Sequence, residues 1–592
     1  MGDLASPANN NPASPAVHDG CVETPRSGQT CIKAIYPAAA VRRIRQNRFG
    51  GVYFQFPEEN WGQYKGYDLS AYGVRGETVR LIFAARGARG GEVVSFKAGG
   101  INRFPDSNKK YPYQDSFGPI TPANSYSQGA LSLTTDWQEY RMDLTRAAID
   151  NVIGGFCWVA NDDLNPQGAT FYLDDIRVEF GASGTQKRLS EPRFIRSLEP
   201  KTAGKPDMYF RNACYIYDQA LALLAFLSTG GSDDLFRAKL LADAFVSVQN
   251  NDRFFSDGRL RNAYACGDLL GASTGKARLP GWYDDKQKKW CEDKYCNSSD
   301  CGNMAWTVIA LLSYWEKKDP QPASNYLRSA ERMAEWIHHH NFSQTGPGGY
   351  TGGVYGWEPS AENREEPAKV GWKSTEHNID IYVAFMRLAR ATGRQEWIDR
   401  AEHAKMFVRK MWDPAEGHFW AGTDPDGHTV NKKPVPLDVH SWAILAFKDV
   451  EEFSEGVRWA MRNCKVSTGS GGTGVSGFDF KWMPPGSEVD KGIWWEGTAQ
   501  MQLAMKMAGF DQEAANCLQN IRNHGFSARS GEGVFATDPQ ELSTGFPKEE
   551  WGPNMMWKYY RRSHVGATCW CLFAELGWNP YWSEAVVSVK GN

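Results

Sequence analysis

The sequence lacks any long apolar run and carries almost no excess of charge. No stretch of about 18 consecutive apolar residues occurs in its 592 residues, so no membrane-spanning helix is predicted. A net charge of −3 gives no reason to expect binding to a polyanion or to an anionic membrane surface. We therefore expect no nucleic-acid partner and no membrane span, while the oligomeric state stays open.

The sequence also lacks a recognisable export signal at its start and the CxxC spacing of a zinc site. Residues 1–20 contain no basic n-region and no apolar h-region, and their Pro, Asn, Ala and Ser content predicts a disordered segment. Cys21 and Cys31 flank a short loop and could pair, and the cysteines within 291–301 have x4 spacings. Disulfide bonds are favoured over thiols or a metal site, and we expect an extracellular or periplasmic protein.

What is present divides the chain into two parts with different periodicity. A chain of 592 residues exceeds the roughly 250–300 residues at which a single core stops growing, so more than one domain is expected. Over 21–182, short β-rich runs such as TVRLIFAAR and ATFYLDDIRVEF alternate with turn residues, which predicts a β-sandwich. We expect a linker over 183–206 and a helical domain over 207–592.

The helical part repeats one unit, a helix that is apolar nearly all round followed by an amphipathic helix. A helix that is apolar on every side must be buried, whereas an amphipathic helix lies outside. Five such pairs are followed by a sixth apolar helix, and the apolar members are predicted at 215–227, 302–315, 374–389, 437–447, 494–508 and 563–576. Long loops rich in Trp, Gly and Asp separate the pairs, unlike the even spacing of a solenoid. The pattern predicts a closed (α/α)6 toroid with an inner and an outer ring.

Four segments place a polar or acidic residue at the start of an apolar helix: YDQALALLAF, KSTEHNIDIYVAF, LDVHSWAILAF and IWWEGTAQMQLA. Through them the helical part resembles the six-hairpin, (α/α)6-barrel glycosidase superfamily, which includes glucoamylases and inverting endoglucanases. GGFCWVAN and ATFYLDDIRVEF make the N-terminal part similar to jelly-roll carbohydrate-binding modules. The resemblance implies an all-β jelly-roll sandwich followed by an all-α (α/α)6 toroid, and an inverting glycoside hydrolase.

Acidic residues recur just inside the predicted inner helices, where a common rim would bring them together. The candidate catalytic carboxylates are Glu376, Glu496, Asp438, Asp380 and Asp218. Each one alone could equally be a residue that stabilises a helix N-terminus. Glycoside hydrolysis needs one protonated carboxyl, which protonates the leaving oxygen, and a second carboxylate that acts as base or nucleophile.

The spacing within KSTEHNIDIYVAF suggests which carboxyl is protonated. Asp380 lies one helical turn after Glu376, and Trp372 precedes it, so like charge and an apolar wall would both raise the Glu376 pKa. Glu496 is the expected base, with Asp438 as the alternative. Asp218 would hold a sugar hydroxyl or compete for the base role.

Aromatic residues make up 13% of the chain, and many of the 23 Trp lie in Gly-rich polar stretches suited to stacking on neutral sugar rings. We expect a neutral, glucan-type polysaccharide or oligosaccharide as substrate. The candidate substrate-binding residues are Trp372, Trp494, Trp495, His377, His440, Trp357, Trp282 and Trp551. The candidate sugar-binding residues of the sandwich are Trp61, Tyr64, Tyr67, Tyr111 and Tyr113. No cofactor is expected for catalysis, and Asp175 matches a structural Ca²⁺ ligand of similar modules.

Three other functions stay open at the level of the sequence. The segment YYRRSH, with Tyr559, Arg561, Arg562 and His564, would suit a polysaccharide lyase, which needs a Tyr/His pair and a cation beside a uronate. A sugar epimerase of the same barrel type would rely on paired histidines. A non-catalytic carbohydrate-binding or surface-structural protein would keep the fold without the reaction. The sugar, its linkage and endo versus exo action are not determined by the sequence.

Overall fold

The structure is a computed structural model, and its hydrophobic residues form two main cores, one among strands and one among helices. The residues it describes are 15–27, 30–38, 49–55, 60, 66–67, 69, 79–99, 120–121, 130–144, 152–180, 191–199, 210–271, 274–284, 289–358, 368–468, 474–484, 486–487, 490–525, 533–547 and 556–588.

The N-terminal part consists of antiparallel strands in two sheets. The strands are β1 (Ala16–Cys21), β2 (Cys31–Tyr36), β3 (Phe49–Phe54), β4 (Val79–Gly87), β5 (Val93–Gly99), β6 (Ile120–Thr121), β7 (Ala130–Ser132), β8 (Gln138–Asp143), β9 (Gly154–Asn161) and β10 (Ala169–Phe180). One sheet has the order β1-β2-β10-β4-β8-β6 and the other the order β3-β9-β5-β7. Alternation decides which side chains face inward: in β8, Tyr140 and Met142 are buried, whereas Arg141 and Asp143 are exposed.

Aromatic side chains hold the two sheets face to face. Phe83 of β4 lies 4.7 Å from Phe96 of β5 between ring centroids, and Trp158 of β9 lies 5.0 Å from Phe171 of β10. Each pair joins one sheet to the other, so the strands enclose one apolar layer, as in a sandwich. The jelly-roll assignment and a sugar-binding role of this part stay predictions.

Of the predicted sugar-binding residues of the sandwich, Tyr67 is described. Its main chain exchanges two hydrogen bonds of 2.8 Å with Val152, which ties the segment to the sandwich. The others, Trp61, Tyr64, Tyr111 and Tyr113, lie outside the described residues. Cys21 and Cys31 lie opposite each other in β1 and β2 but are separate thiols, so the predicted disulfide is not formed there.

The second part is built from helices joined in pairs. They are α1 (Ile216–Thr229), α2 (Ser232–Asn250), α3 (Cys301–Lys318), α4 (Asn325–Asn341), α5 (Thr375–Thr392), α6 (Gln395–Lys410), α7 (Asp438–Phe447), α8 (Val450–Asn463), α9 (Trp495–Met507), α10 (Asp511–Asn520) and α11 (Val565–Leu576). Among the described residues, no helix is both long enough and apolar enough to cross a membrane.

Six of these helices close an inner ring. α1, α3, α5, α7, α9 and α11 pack against one another in that order, and α11 returns to pack against α1. Each of α2, α4, α6, α8 and α10 packs against the inner helix that precedes it. The predicted (α/α)6 toroid is therefore confirmed for the helical part, although a sixth outer helix is not found among the described residues.

Short connections make all the inner helices start at the same rim. Two residues join α1 to α2, and Gly230 takes a left-handed φ of 71° to end α1, a conformation that glycine adopts without strain. The amphipathic helix then runs back, and a longer connection returns the chain to the starting rim. Antiparallel strand pairs in these connections include Ala213–Tyr215 with Ala263–Ala265, Gly281–Asp284 with Lys289–Glu292, Lys465–Thr468 with Val475–Phe478, and Glu541–Pro547 with Met556–Tyr560.

The segment after α11 folds into the middle of the ring. Tyr581 is fully buried there, with its ring 4.6 Å from that of Trp306 on α3. Its hydroxyl donates to Asp380 Oδ1 on α5 at 2.7 Å, and its carbonyl accepts from Arg387 Nη1 at 3.2 Å. Tyr581 thus forms part of the barrel interior.

We expect Tyr581→Ala to lower the free energy of unfolding of the helical part by about 3–5 kcal/mol, because it empties a large buried volume. Urea denaturation followed by far-ultraviolet circular dichroism measures this change. Val587→Ala, at a position that is 74% exposed, is the matched control and should leave the transition unchanged. Equal transitions for Tyr581→Ala and the wild type would contradict the burial of this segment.

Candidate active site

The first turns of the inner helices bring the five predicted carboxylates to one region of the ring. Electrostatic repulsion from Asp438, Asp380 and Glu496 acts on Glu376. Glu496 and Asp218 both lie next to Gly566, where an added Cβ would come within 2.8 Å of Glu496 Oε2 and 2.9 Å of Asp218 Oδ1. Carboxylates from four helices, separated by up to 278 residues of chain, therefore form one cluster, because the helices that carry them all start at one rim.

Glu376 differs from the other four carboxylates in its access to solvent. It is half-buried, whereas Asp218, Asp380, Asp438 and Glu496 are 1–3% exposed. Burial raises the pKa of Glu376 well above its ordinary value, and the charges of Asp438 and Asp380 raise it further. A carboxyl that a ligand can reach and that stays protonated near neutral pH has the properties of a general acid.

The sequence predicted that Asp380 raises the Glu376 pKa, but Asp380 is not the carboxylate with the largest effect on it. Burial has the largest effect on the Glu376 pKa, followed by repulsion from Asp438 and then from Asp380. Asp438 comes from the neighbouring helix, so sequence spacing did not pair it with Glu376. Trp372 packs its ring on His377, 5.5 Å away between centroids. Burial lowers the pKa of His377 to about 4, so its imidazole is neutral at neutral pH.

Glu496 is held by hydrogen bonds that were not visible in the sequence. The Tyr217 hydroxyl donates to Glu496 Oε1 at 2.6 Å and accepts from Trp570 Nε1 at 2.9 Å. Burial raises the pKa of Glu496 to about 7, against the opposing effects of the His564 charge and the Tyr217 hydrogen bond. This carboxyl is oriented and titrates near neutral pH, as a general base requires.

His564 links Glu496 to Asp218. Its Nε2 lies 3.3 Å from Asp218 Oδ1, and its Nδ1 lies 3.6 Å from Glu496 Oε2. Burial acts to lower the His564 pKa, but the charges of Asp218 and Glu496 outweigh burial and the pKa is raised. Gly566 leaves the space in which the three side chains meet. The sequence indicated His564 both for a lyase and, by its place at the start of the last inner helix, as a residue of the same rim as the acids, but it did not pair His564 with Asp218 and Glu496.

Asp438 and Asp380 lie deeper in the cluster. Burial raises the Asp438 pKa to about 7, and the Glu496 charge adds to this effect. Burial raises the Asp380 pKa well above its ordinary value, although the hydrogen bond from Tyr581 opposes the shift. Asp380 is therefore a residue of the barrel interior in which burial favours the protonated form, and Asp438 remains an alternative base.

Aromatic rings pack beneath and beside these carboxylates. Trp306 lies between Tyr217 and Trp442, at 5.6 Å and 5.5 Å between ring centroids. Rings of this kind exclude water from the inner ends of the carboxylates, which explains the dominant effect of burial on their pKa values.

Several predicted sugar-binding residues are packing residues instead. Trp494 and Trp495 are 2% and 1% exposed, so their faces are covered by protein. His440 is fully buried, stacks on Trp459 at 4.9 Å and has a pKa that burial lowers to about 3. An apolar helix start contains side chains that face the neighbouring helices as well as the cleft, and sequence spacing does not separate the two.

The remaining predicted tryptophans lie in the connecting segments. Trp357 is 8% exposed, and its Nε1 donates to Glu292 at 3.2 Å. Trp282 is half-buried in the strand Gly281–Asp284. Trp551 lies outside the described residues.

A group of half-buried aromatic residues that the sequence did not indicate lies near Glu376. Tyr295 has its ring 6.0 Å from that of Tyr215 and 4.8 Å from that of Trp557. Burial raises the Tyr295 pKa well above its ordinary value, and the charges of Asp300 and Glu376 contribute. Because these three rings come from separate connections, no local pattern joined them, and they offer faces suited to a sugar ring.

The described residues give no support to a metal site. No group of three or more His, Cys, Asp or Glu residues in this part of the chain could hold a metal ion. Asp175 accepts from Arg26 Nη1 at 3.1 Å and from Ser27 Oγ at 2.5 Å. Asp175 contacts a guanidinium, whereas a calcium site needs six to eight oxygen ligands. The calcium site stays a sequence prediction.

We expect Asp438→Asn to stabilise the protein more at high pH than at low pH. A buried carboxyl with a raised pKa contributes its full stability below its unfolded pKa and loses it as the pH rises through its folded pKa of about 7. The variant should gain unfolding free energy relative to wild type, and this gain should be more than about 1 kcal/mol larger at about pH 8 than at about pH 5. Urea titrations at both pH values measure this difference, and exposed Asp399→Asn is the control. A pH-independent difference would contradict the assigned burial.

Solved structures with a similar fold include several enzymes that act on sugars. A sugar epimerase from a ruminal bacterium is 13% identical, with 66% of this chain and 94% of that chain covered at a TM-score of 0.43. A family 76 glycoside hydrolase (mannosidase) from Bacteroides thetaiotaomicron is 14% identical, with 65% and 92% covered at a TM-score of 0.40. A family 76 glycoside hydrolase from a bovine strain of the same species is 11% identical, with 92% and 95% covered at a TM-score of 0.39.

No protein-family model matches the sequence, and no curated protein sequence matches it. At identities of 10–14% and TM-scores below 0.5, the similar structures do not identify the reaction of this chain. The reaction has to be inferred from the side chains around the carboxylates.

Proposed function

We propose that the protein is a glycoside hydrolase that acts on a neutral polysaccharide or oligosaccharide. The observation that carries this proposal is the contrast between two carboxyls. Glu376 is half-buried with a pKa raised well above the ordinary value, and Glu496 is fully buried and held by Tyr217 beside the His564 imidazole. One accessible acid and one oriented carboxylate are the pair that glycoside hydrolysis needs.

The proposed roles follow from access and protonation. Glu376 donates its proton to the glycosidic oxygen as the bond to the leaving sugar breaks. Glu496 takes a proton from the attacking water, which inverts the anomeric configuration. Tyr217 keeps Glu496 oriented towards that water, and Asp438 is the alternative base because its pKa also lies near 7.

The charge of the site favours a neutral substrate over a uronate. A uronate carboxylate would be repelled by the charge that Glu496 carries as the base. The two arginines that the sequence suggested for a lyase contact other residues. Arg561 Nη1 donates to Asp538 Oδ1 at 2.7 Å, and the Arg562 guanidinium lies 5.7 Å from the centre of the Tyr560 ring. Burial raises the Tyr559 pKa well above its ordinary value, and the Glu496 charge adds to this, so Tyr559 is poorly suited to act as a base.

A sugar epimerase is the second candidate because two histidines whose pKa values are shifted in opposite directions lie at the rim. Burial lowers the His377 pKa to about 4, which makes it a neutral base, while the paired carboxylates raise the His564 pKa against the effect of burial. An epimerase would convert one sugar into its isomer and release no new reducing ends. The two functions are separated by product analysis.

We expect Glu376→Gln and Glu496→Gln each to lower kcat by about 10²–10⁴-fold with little change in substrate binding, since a general acid or base contributes about this much. Reducing-sugar release and calorimetric binding across a panel of neutral polysaccharides measure the two effects. The exposed Glu402→Gln is the matched control and should behave like the wild type.

The anomer formed first, followed by proton NMR, should be inverted relative to the substrate. Release of an unsaturated sugar from a uronate polymer would support the lyase, and an isomer without hydrolysis would support the epimerase. Binding by the wild type without any turnover would indicate a non-catalytic protein and overturn the proposal.

A further inference from the structure

The imidazole of His564 lies between two carboxylates that come from different helices. Asp218 belongs to α1 and Glu496 to α9, and His564 immediately precedes α11. The three side chains converge over Gly566, where a Cβ would come within 2.8–2.9 Å of Glu496, Asp218 and His564. The absence of a side chain at Gly566 therefore leaves room for this contact, which joins the first, fifth and last inner helices.

One ring nitrogen of His564 has two partners with opposite requirements. Nδ1 accepts from the Ala567 main-chain N–H at 3.4 Å, which caps α11 and requires an unprotonated nitrogen. The same Nδ1 lies 3.6 Å from Glu496 Oε2, a contact that is favourable when Nδ1 carries a proton. Nε2 faces Asp218 Oδ1 at 3.3 Å in both cases, so Asp218 holds the ring while Nδ1 changes partner.

We propose that His564 is a positioning residue that carries a proton beside Glu496 and thereby keeps Glu496 ionised as the base of the reaction. This inference rests on the proposed hydrolase function and deepens the account of the same site. Asp218 then acts through His564 and does not itself touch the substrate. The negative charge that Glu496 needs is then balanced by the buried imidazolium beside it.

The groups around His564 determine how its charge depends on pH. Asp218 faces it from α1, Glu496 from α9, and the Tyr559 ring lies 6.5 Å away on the strand Met556–Tyr560. Burial opposes the charge on His564, but the two carboxylates outweigh it, so its pKa is raised. The imidazolium is present below that pKa and is lost as the pH rises through it, and Glu496 then loses its cationic partner.

The variant that tests this role is His564→Asn, because asparagine can still cap α11 but cannot carry the charge. Loss of a cation within about 4–6 Å should raise the Glu496 pKa and move the acidic limb of kcat/KM upward by about 1–3 pH units. His428→Asn, at an exposed position, is the matched control and should keep the wild-type profile. An active His564→Asn enzyme with an unchanged acidic limb would overturn the proposal.

A second measurement needs no substrate and covers a variant without activity. In protein labelled at histidine Cε1, the chain shows 11 imidazoles, and the His564 signal is the one lost in His564→Asn. Its titration midpoint should lie above the ordinary value of about 6.5 and should fall in both Glu496→Gln and Asp218→Asn. Midpoints unchanged in both variants would refute the link between the three side chains.

The two measurements also separate this inference from the function on which it rests. Absence of hydrolysis by the wild-type protein overturns the hydrolase, whereas the NMR midpoints still decide whether His564 is charged by Asp218 and Glu496. Suppose that the wild type hydrolyses the substrate, that His564→Asn keeps the acidic limb of kcat/KM, and that the His564 midpoint is unchanged in Glu496→Gln and Asp218→Asn. The hydrolase function then stands, and His564 has no part in its mechanism.

Discussion

Carboxylates held out of water at one end of the helical ring are the constraint on which the rest of the site depends. Five acids from four inner helices share this region. Burial and repulsion from neighbouring carboxylates raise the pKa of Glu376, Asp380, Asp438 and Glu496. A structure of this kind cannot ionise all of them near neutral pH. Some of these carboxyls therefore keep a proton or pair with a cation, and the state of each carboxyl determines its chemical role.

The distribution follows from what each carboxyl contacts. Glu376 is half-buried near three half-buried aromatic rings, and its raised pKa favours the protonated form. Glu496 has a hydroxyl on one oxygen and an imidazole near the other, and both favour its charged form. Asp380 has neither a cation nor solvent, and it is held by Tyr581 as part of the barrel interior. Carboxyl groups thus serve three purposes within one cluster.

The arrangement costs stability, and the rest of the toroid offsets that cost. Buried carboxylates destabilise a fold when they ionise, whereas the closed ring of apolar helices and its aromatic interior supply a large hydrophobic contribution. The segment after α11 takes part in this support, since Tyr581 fills the middle of the ring and anchors Arg387 from the same helix that carries Glu376 and Asp380. Side chains beyond the last inner helix therefore help to position the site.

The sequence by itself determined the period of each part and the rim at which the acids lie. Apolar residues on all sides of six helices, with amphipathic partners, require a buried inner ring, and short turns require all its helices to start together. Glu376, Asp380, Asp438, Glu496 and Asp218 could be named from that rule alone.

Only the tertiary structure decided which side chains at that rim face the cleft and which face a neighbouring helix. Trp494, Trp495 and His440 satisfied the same spacing rule as the acids and are core residues, because rotation of each helix about its axis is set by packing with its neighbours. The contacts of Tyr217, His564 and Tyr581 with these acids join residues from 68 to 346 positions apart. Charge and hydrogen bonding act through space, so the ionisation of each carboxyl was settled by partners that no local pattern in the sequence connects to it.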